Sequence, residues 1–231
     1  MHRLFDKAHL ISKTQGWTYQ NSIRNVVSKS YEPILSPKSV ERPGVIVLYQ
    51  YQDHQHHIAR VDTPVGKRVA DYCSMQYMDV IRNDCLWKGR LRPPSFNEHT
   101  EIAAACEELH CTLSNEVGII LITIDAPSSA IAQFYLESHS VSGLLMVDPV
   151  LLPTKMDIND MEDEEGAGRF LKIEPGAVPT MILSQSSNTT CSDKVVQYHE
   201  ALHTRIPKCY SWGDEMFLDL VLDWIDEECI L

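Results

Sequence analysis

The string His199-Glu200-Ala201-Leu202-His203 matches H-E-x-x-H by letter. On a helix, histidines at i and i+4 share a face, and the glutamate can act as base on a metal-bound water. His199 and His203 are therefore the candidate zinc ligands, with Asp214 or Glu215 as a possible third. No histidine follows His203, so the set is short of its usual complement, and the expectation is no metal and no cofactor. A second cluster, Asp53-His54-Gln55-His56-His57, lacks the trailing Asp-His of metallo-hydrolase patterns and reads as a polar surface loop. Asp125-Ala126-Pro127-Ser128-Ser129 precedes an apolar helical pattern, and there Asp125 reads as the N-cap. Thr63-Pro64-Val65-Gly66-Lys67 contains Gly-Lys without the phosphate-loop spacing and reads as a turn. Seven cysteines without paired-ligand spacing read as reduced thiols in an intracellular compartment.

These groups need a scaffold, and 231 residues with 44% apolar content can bury one core of ordinary size. The net charge of −12 argues against broad nucleic-acid binding. No apolar run approaches the roughly 20 residues of a membrane-spanning helix. Charge is uneven: residues 1–70 carry ten Lys/Arg against five acids, and the remainder is strongly acidic. Residues 1–42 are expected to be a basic arm, similar in composition to an organellar import segment, ahead of a domain over residues 43–231. The run Asp157–Glu165 includes four consecutive acids, Glu162, Asp163, Glu164 and Glu165. It reads as a solvated loop, or as a docking strip for a basic partner.

Strand and helix signals alternate along the chain. Val45–Tyr51, Asp79–Asp84, Gly118–Thr123, Gly143–Val147, Val178–Ser184 and Lys208–Trp212 read as strands. Helical spacing is expected over Lys67–Tyr77, Glu98–Cys111, Ser128–Ser138, Ser192–His203 and Asp214–Glu227. Such alternation calls for an α/β fold, a mostly parallel sheet with helices on both faces.

Taken in order, these segments resemble the core of the α/β-hydrolase superfamily. DVIRNDCLWKGRLRPP (Asp79–Pro94), GIILITIDAPSSAIA (Gly118–Ala132), SGLLMVDP (Ser142–Pro149) and the strand Val178–Ser184 carry the likeness, which covers roughly residues 43–228. The resemblance implies a nucleophile elbow at Thr123–Pro127, with Asp125 at the nucleophile position and Ser128 and Ser129 as weaker alternatives. Some members of the superfamily use an aspartate nucleophile that forms an ester intermediate. It also implies a cap domain that is short or absent, since about 30 residues separate Pro149 from Val178.

The rest of the implied machinery is altered. Both elbow glycines are replaced, by Thr123 and Pro127, and Gln52-Asp53-His54 stands where the family has its oxyanion His-Gly. The loop before the last helix, Tyr210–Glu215, has no histidine to serve as base. Asn188 stands near the expected acid, with Asp193 and Asp148 as alternatives. The reading is a catalytically inactive α/β-hydrolase-like protein, an accessory or structural subunit of a larger assembly whose partners are other protein subunits. Its expected compartment is the mitochondrion, with the cytoplasm as alternative. The competing reading is a divergent hydrolase with Asp125 as nucleophile and a base borrowed from His54, His56 or His57.

Overall fold

Ile119–Thr123 forms strand β5 at the centre of the sheet, and all five of its residues are buried. Alternate side chains serve two cores: Ile119 and Leu121 face one, Ile120 and Ile122 the other. An unbroken apolar run is what a strand covered on both faces requires. The computed structural model describes residues 17–23, 26–35, 42–52, 63–83, 96–149, 174, 176–184, 195–206 and 214–229.

The strands are β1 (Trp17–Ile23), β2 (Val26–Tyr31), β3 (Val45–Gln52), β4 (Gln76–Asn83), β5, β6 (Gly143–Val147), β7 (Thr180–Ser184) and β8 (Leu202–Arg205). They form one eight-stranded sheet in the order β1-β2-β4-β3-β5-β6-β7-β8. Strands β3 to β8 pair in parallel. β1 and β2 form an antiparallel extension on β4. The sheet therefore reaches across the boundary expected between residues 42 and 43, because β1 and β2, both within the basic arm, are two of its strands.

Helices α2 (Phe96–Leu113) and α3 (Ala126–Leu136) contribute Ile102, Leu109, Ile131 and Phe134 to one core. Helices α1 (Thr63–Cys73) and α4 (Glu215–Glu228) contribute Val69, Ala70, Phe217, Val221 and Trp224 to the other. The expectation of helices on both faces of a mostly parallel sheet is met. Among the described residues no helix is long and apolar enough to cross a membrane.

Two local expectations are corrected. Residues 63–67 are the first turn of α1 rather than a free turn. A side chain at Gly66 would overlap the ring of Tyr77 on β4, so the residue sets how closely helix and strand approach. Tyr77 is fully buried and its hydroxyl donates to Asp79 Oδ1 at 3.0 Å, so the ring has little room to yield. Gly66→Ala is expected to lower the unfolding free energy by about 1–2 kcal/mol, read from the urea midpoint at constant m-value.

The second correction concerns the helix expected over Ser192–His203. Among the described residues of that segment, the helical ones run over 195–199. Glu200 then takes the left-handed conformation, with φ of 50°, and the chain turns into β8. Among the described residues the last strand of the sheet is thus Leu202–Arg205, and the expected strand Lys208–Trp212 lies outside the described residues.

Candidate functional site

The parallel strands deliver their C-terminal ends to one edge of the sheet, where sites in such folds are built. β5 ends at Thr123, and α3 begins at Ala126, two residues before the buried Ser128. Between them Asp125 is extended, with φ −145° and ψ 161°. Its Oδ1 accepts from the Ser128 N–H at 2.7 Å, which caps the first helical turn. Its Oδ2 accepts from the N–H of Tyr51, near the end of β3, at 2.9 Å. One carboxylate thus ties the start of α3 to a neighbouring strand.

A nucleophile elbow needs a sharp, strained turn that thrusts its side chain outward. Among the described residues, positive φ outside glycine occurs at Ser74, Asp148 and Glu200, and nowhere in the segment 123–127. The chain enters α3 through an ordinary extended cap, so the geometry supports the capping role of Asp125. Burial raises the carboxyl's pKa, and the donors at Ser128 and Tyr51 oppose that only in part. Ser128 and Ser129 are both fully buried. Their hydroxyls donate to the carbonyls of Asp125 at 3.1 Å and of Ala126 at 2.8 Å, back onto the turn they belong to.

The proposed zinc pair does not survive. His199 ends the helical stretch and His203 lies on β8, so the i, i+4 face they were expected to share does not exist. His199 is buried, and its Nε2 lies 3.3 Å from the side-chain oxygen of Gln133. The Gln133 amide nitrogen donates to the Ser129 carbonyl at 3.1 Å, which leaves its oxygen to accept from His199. The His199 Nε2 therefore carries a proton and is not a metal-ligating lone pair. Burial pushes this imidazole down to about 4. Among the described residues no group of three or more His, Cys, Asp or Glu side chains is arranged to hold a metal ion.

His203 has a partner that sequence reasoning missed. Its Nε2 lies 3.0 Å from Oγ of Ser184, the last residue of β7. The two side chains meet because β7 and β8 pair in parallel, with Ile182 opposite His203. Expecting a helix through residue 203 hid this pair. Also missed was Arg82, a buried guanidinium whose Nε donates to Glu108 at 2.9 Å and whose Nη1 lies 3.4 Å from Glu101. The signal was present in Asp79-Val80-Ile81-Arg82, where two charged residues occupy opposite faces of one strand. Asp148 follows β6 in a left-handed conformation, its N–H donating to the Leu183 carbonyl at 2.9 Å. His54, His56, His57, Asn188, Asp193 and the acids Glu162, Asp163, Glu164 and Glu165 lie outside the described residues, as does any cap between Pro149 and residue 174.

With this geometry in place, the comparison with known proteins defines the class: the chain has the α/β-hydrolase fold. It superimposes on Est1E from Butyrivibrio proteoclasticus with a TM-score of 0.54 and 11% identity, covering 92% of this chain and 97% of that one. A lipase/esterase from Lactobacillus plantarum gives a TM-score of 0.53 at 11% identity, over 91% of this chain and 96% of that one. MGS-M1, an α/β hydrolase enzyme from a Medee basin deep-sea metagenome library, gives 0.57 at 11% identity, over 94% and 100%. At this identity the likeness concerns the fold. No protein-family model matches the chain, and no curated protein matches it.

Proposed function

We propose that this chain keeps the α/β-hydrolase fold without its reaction, and works through its surfaces as an accessory subunit of a larger, mitochondrial protein assembly. The observation that carries the reading is the state of Asp125. Its two oxygens each accept a backbone N–H, and the backbone beneath it is relaxed rather than strained. A nucleophilic carboxylate would have to give up both contacts to reach a substrate. The assembly role follows from the fold combined with this dismantled elbow, and the compartment from the basic character of residues 1–42.

The test is a panel of aryl esters and haloalkanes offered to the wild type and to Asp125→Ala. The expected result is no turnover above buffer for either protein. Turnover by the wild type that Asp125→Ala abolishes would overturn the inactive reading. Size analysis of the protein purified from its native source addresses the assembly, and a monomer there would count against it.

One observation favours a second reading, a hydrolase with its centre moved to Ser184 and His203. A serine within hydrogen-bond reach of an imidazole is the minimal activated nucleophile. Against it, Ser184 is buried, and among the described residues no carboxylate is seen orienting His203. A fluorophosphonate probe decides between the readings. A mass shift of the intact protein that Ser184→Ala removes would establish the relocated site, and an unchanged mass retains the inactive one.

A further inference from the structure

The edge of the sheet opposite Asp125, where the parallel strands begin, carries an open groove of about 370 Å³. Its lining comes from three places: Arg42, Pro43 and Gly44 before β3, Gln76 at the start of β4, and Asn115, Glu116 and Val117 before β5. The floor is fixed by backbone contacts. The Arg42 N–H donates to the Ser74 carbonyl at 2.8 Å, and the Glu116 N–H to that of Leu113 at 2.9 Å. Gly44, at φ 139°, lies so close to Gly118 that a side chain there would come within 2.8 Å of its carbonyl oxygen.

The rim combines exposed apolar groups with acids. Val117, part of the lining, is 69% exposed. The Gln76 side chain, part of the lining, donates to the Glu32 carboxylate at 3.0 Å and holds that acid at the groove's edge. Burial raises the Glu116 pKa, and the charge of Glu32 raises it further, so the two carboxylates act on one space. The groove's own cation is engaged elsewhere, since Arg42 Nη1 lies 2.9 Å from Asp226. The surface therefore fits a segment that brings positive charge together with apolar side chains.

The chain itself carries such a segment. Residues 1–16 hold Arg3, Lys7 and Lys13 against the single acid Asp6, interleaved with Leu4, Phe5, Leu10 and Ile11. They join β1 at Trp17, which stands opposite Tyr31, itself opposite Tyr77 beside Gln76, so the junction lies at this same edge. From β1 to β5 is four strand spacings, about 20 Å. Sixteen residues reach about 50 Å when extended.

We infer that the groove between Arg42, Gln76 and Val117 is the docking site of residues 1–16 of this chain, with their basic side chains set against Glu32 and Glu116. The inference concerns the edge away from Asp125 and holds whether or not the protein turns over an acyl group. The test uses the full chain with a photo-crosslinking amino acid in place of Val117, followed by peptide mass mapping. The expected product is a crosslink to residues 1–16 at the mass of a single chain. Its yield should fall at least tenfold when Glu32→Lys and Glu116→Lys are added, with thermal unfolding showing that the variant is still folded. A crosslink to another part of the chain or to a second copy, no crosslink, or a yield indifferent to charge reversal would each overturn it.

Discussion

Asp125→Ala is expected to lower the unfolding free energy by about 2–4 kcal/mol, the sum of a lost helix cap and an orphaned strand donor. The first part is the bond from the Ser128 N–H, and caps of this kind are worth about 1 kcal/mol. The second is the bond from Tyr51, whose N–H would be left without its carboxylate in a largely buried setting. Asp125→Asn separates the two. Its side-chain oxygen can still cap Ser128, but its amide group would present hydrogens to the Tyr51 N–H, so roughly half the loss should remain. A catalytic aspartate held under strain would behave in the opposite way, since its removal commonly raises stability while ending activity. Urea unfolding of the three proteins distinguishes these outcomes, and an alanine variant more stable than wild type would remove the structural argument for Asp125 as a cap.

The same residue shows how far the sequence could be read. The cap was legible because Asp-Ala-Pro-Ser before an apolar helix is a local signal, and the Ser128 bond spans three residues. The Tyr51 bond was not, since it spans 74 residues and depends on β3 lying beside β5. Strands β5 and β6 declared themselves as apolar runs buried on both faces. β2 did not, because the buried positions beside Val26 on its face are Ser28 and Ser30, so the apolar alternation that marks a strand was broken. β8 was hidden by the residue that ends the preceding helical stretch. A left-handed stop is usually marked by Gly or Asn, and here it is Glu200, so Val195, Tyr198 and Leu202 kept a helical spacing the backbone does not follow. That single misplacement created the apparent zinc motif and concealed the contact between Ser184 and His203.

The second large effect is a cancellation in the pH dependence of stability, which two substitutions should uncover. Asp79 is buried on the face of β4 that meets α1 and α4, and burial pushes its carboxyl up to about 6, against the Tyr77 hydroxyl and the charge of Lys29. An unfolded aspartate titrates near 4. Between those values the folded chain holds a proton that the unfolded chain has released, so this group costs about 3 kcal/mol as pH rises from 4 to 6. His199, on the other face, is pushed down to about 4, whereas an unfolded imidazole titrates near 6.5. As pH falls through that interval only the unfolded chain gains the proton, so His199 costs about 3 kcal/mol on the way down. The two contributions have opposite slopes over nearly one window. Asp125, also raised, adds to the side of Asp79. Relative to wild type, Asp79→Asn should therefore gain stability steadily from pH 4 to 6, and its difference from wild type at pH 7 should stand about 3 kcal/mol above the difference at pH 4. His199→Gln should lose its disadvantage as the pH falls over the same interval. Taking differences from wild type at each pH removes the surface carboxylates common to all three proteins. Urea midpoints at pH 4, 5, 6 and 7 measure both, and a difference between wild type and Asp79→Asn that is constant across the series would mean that Asp79 is ionised throughout.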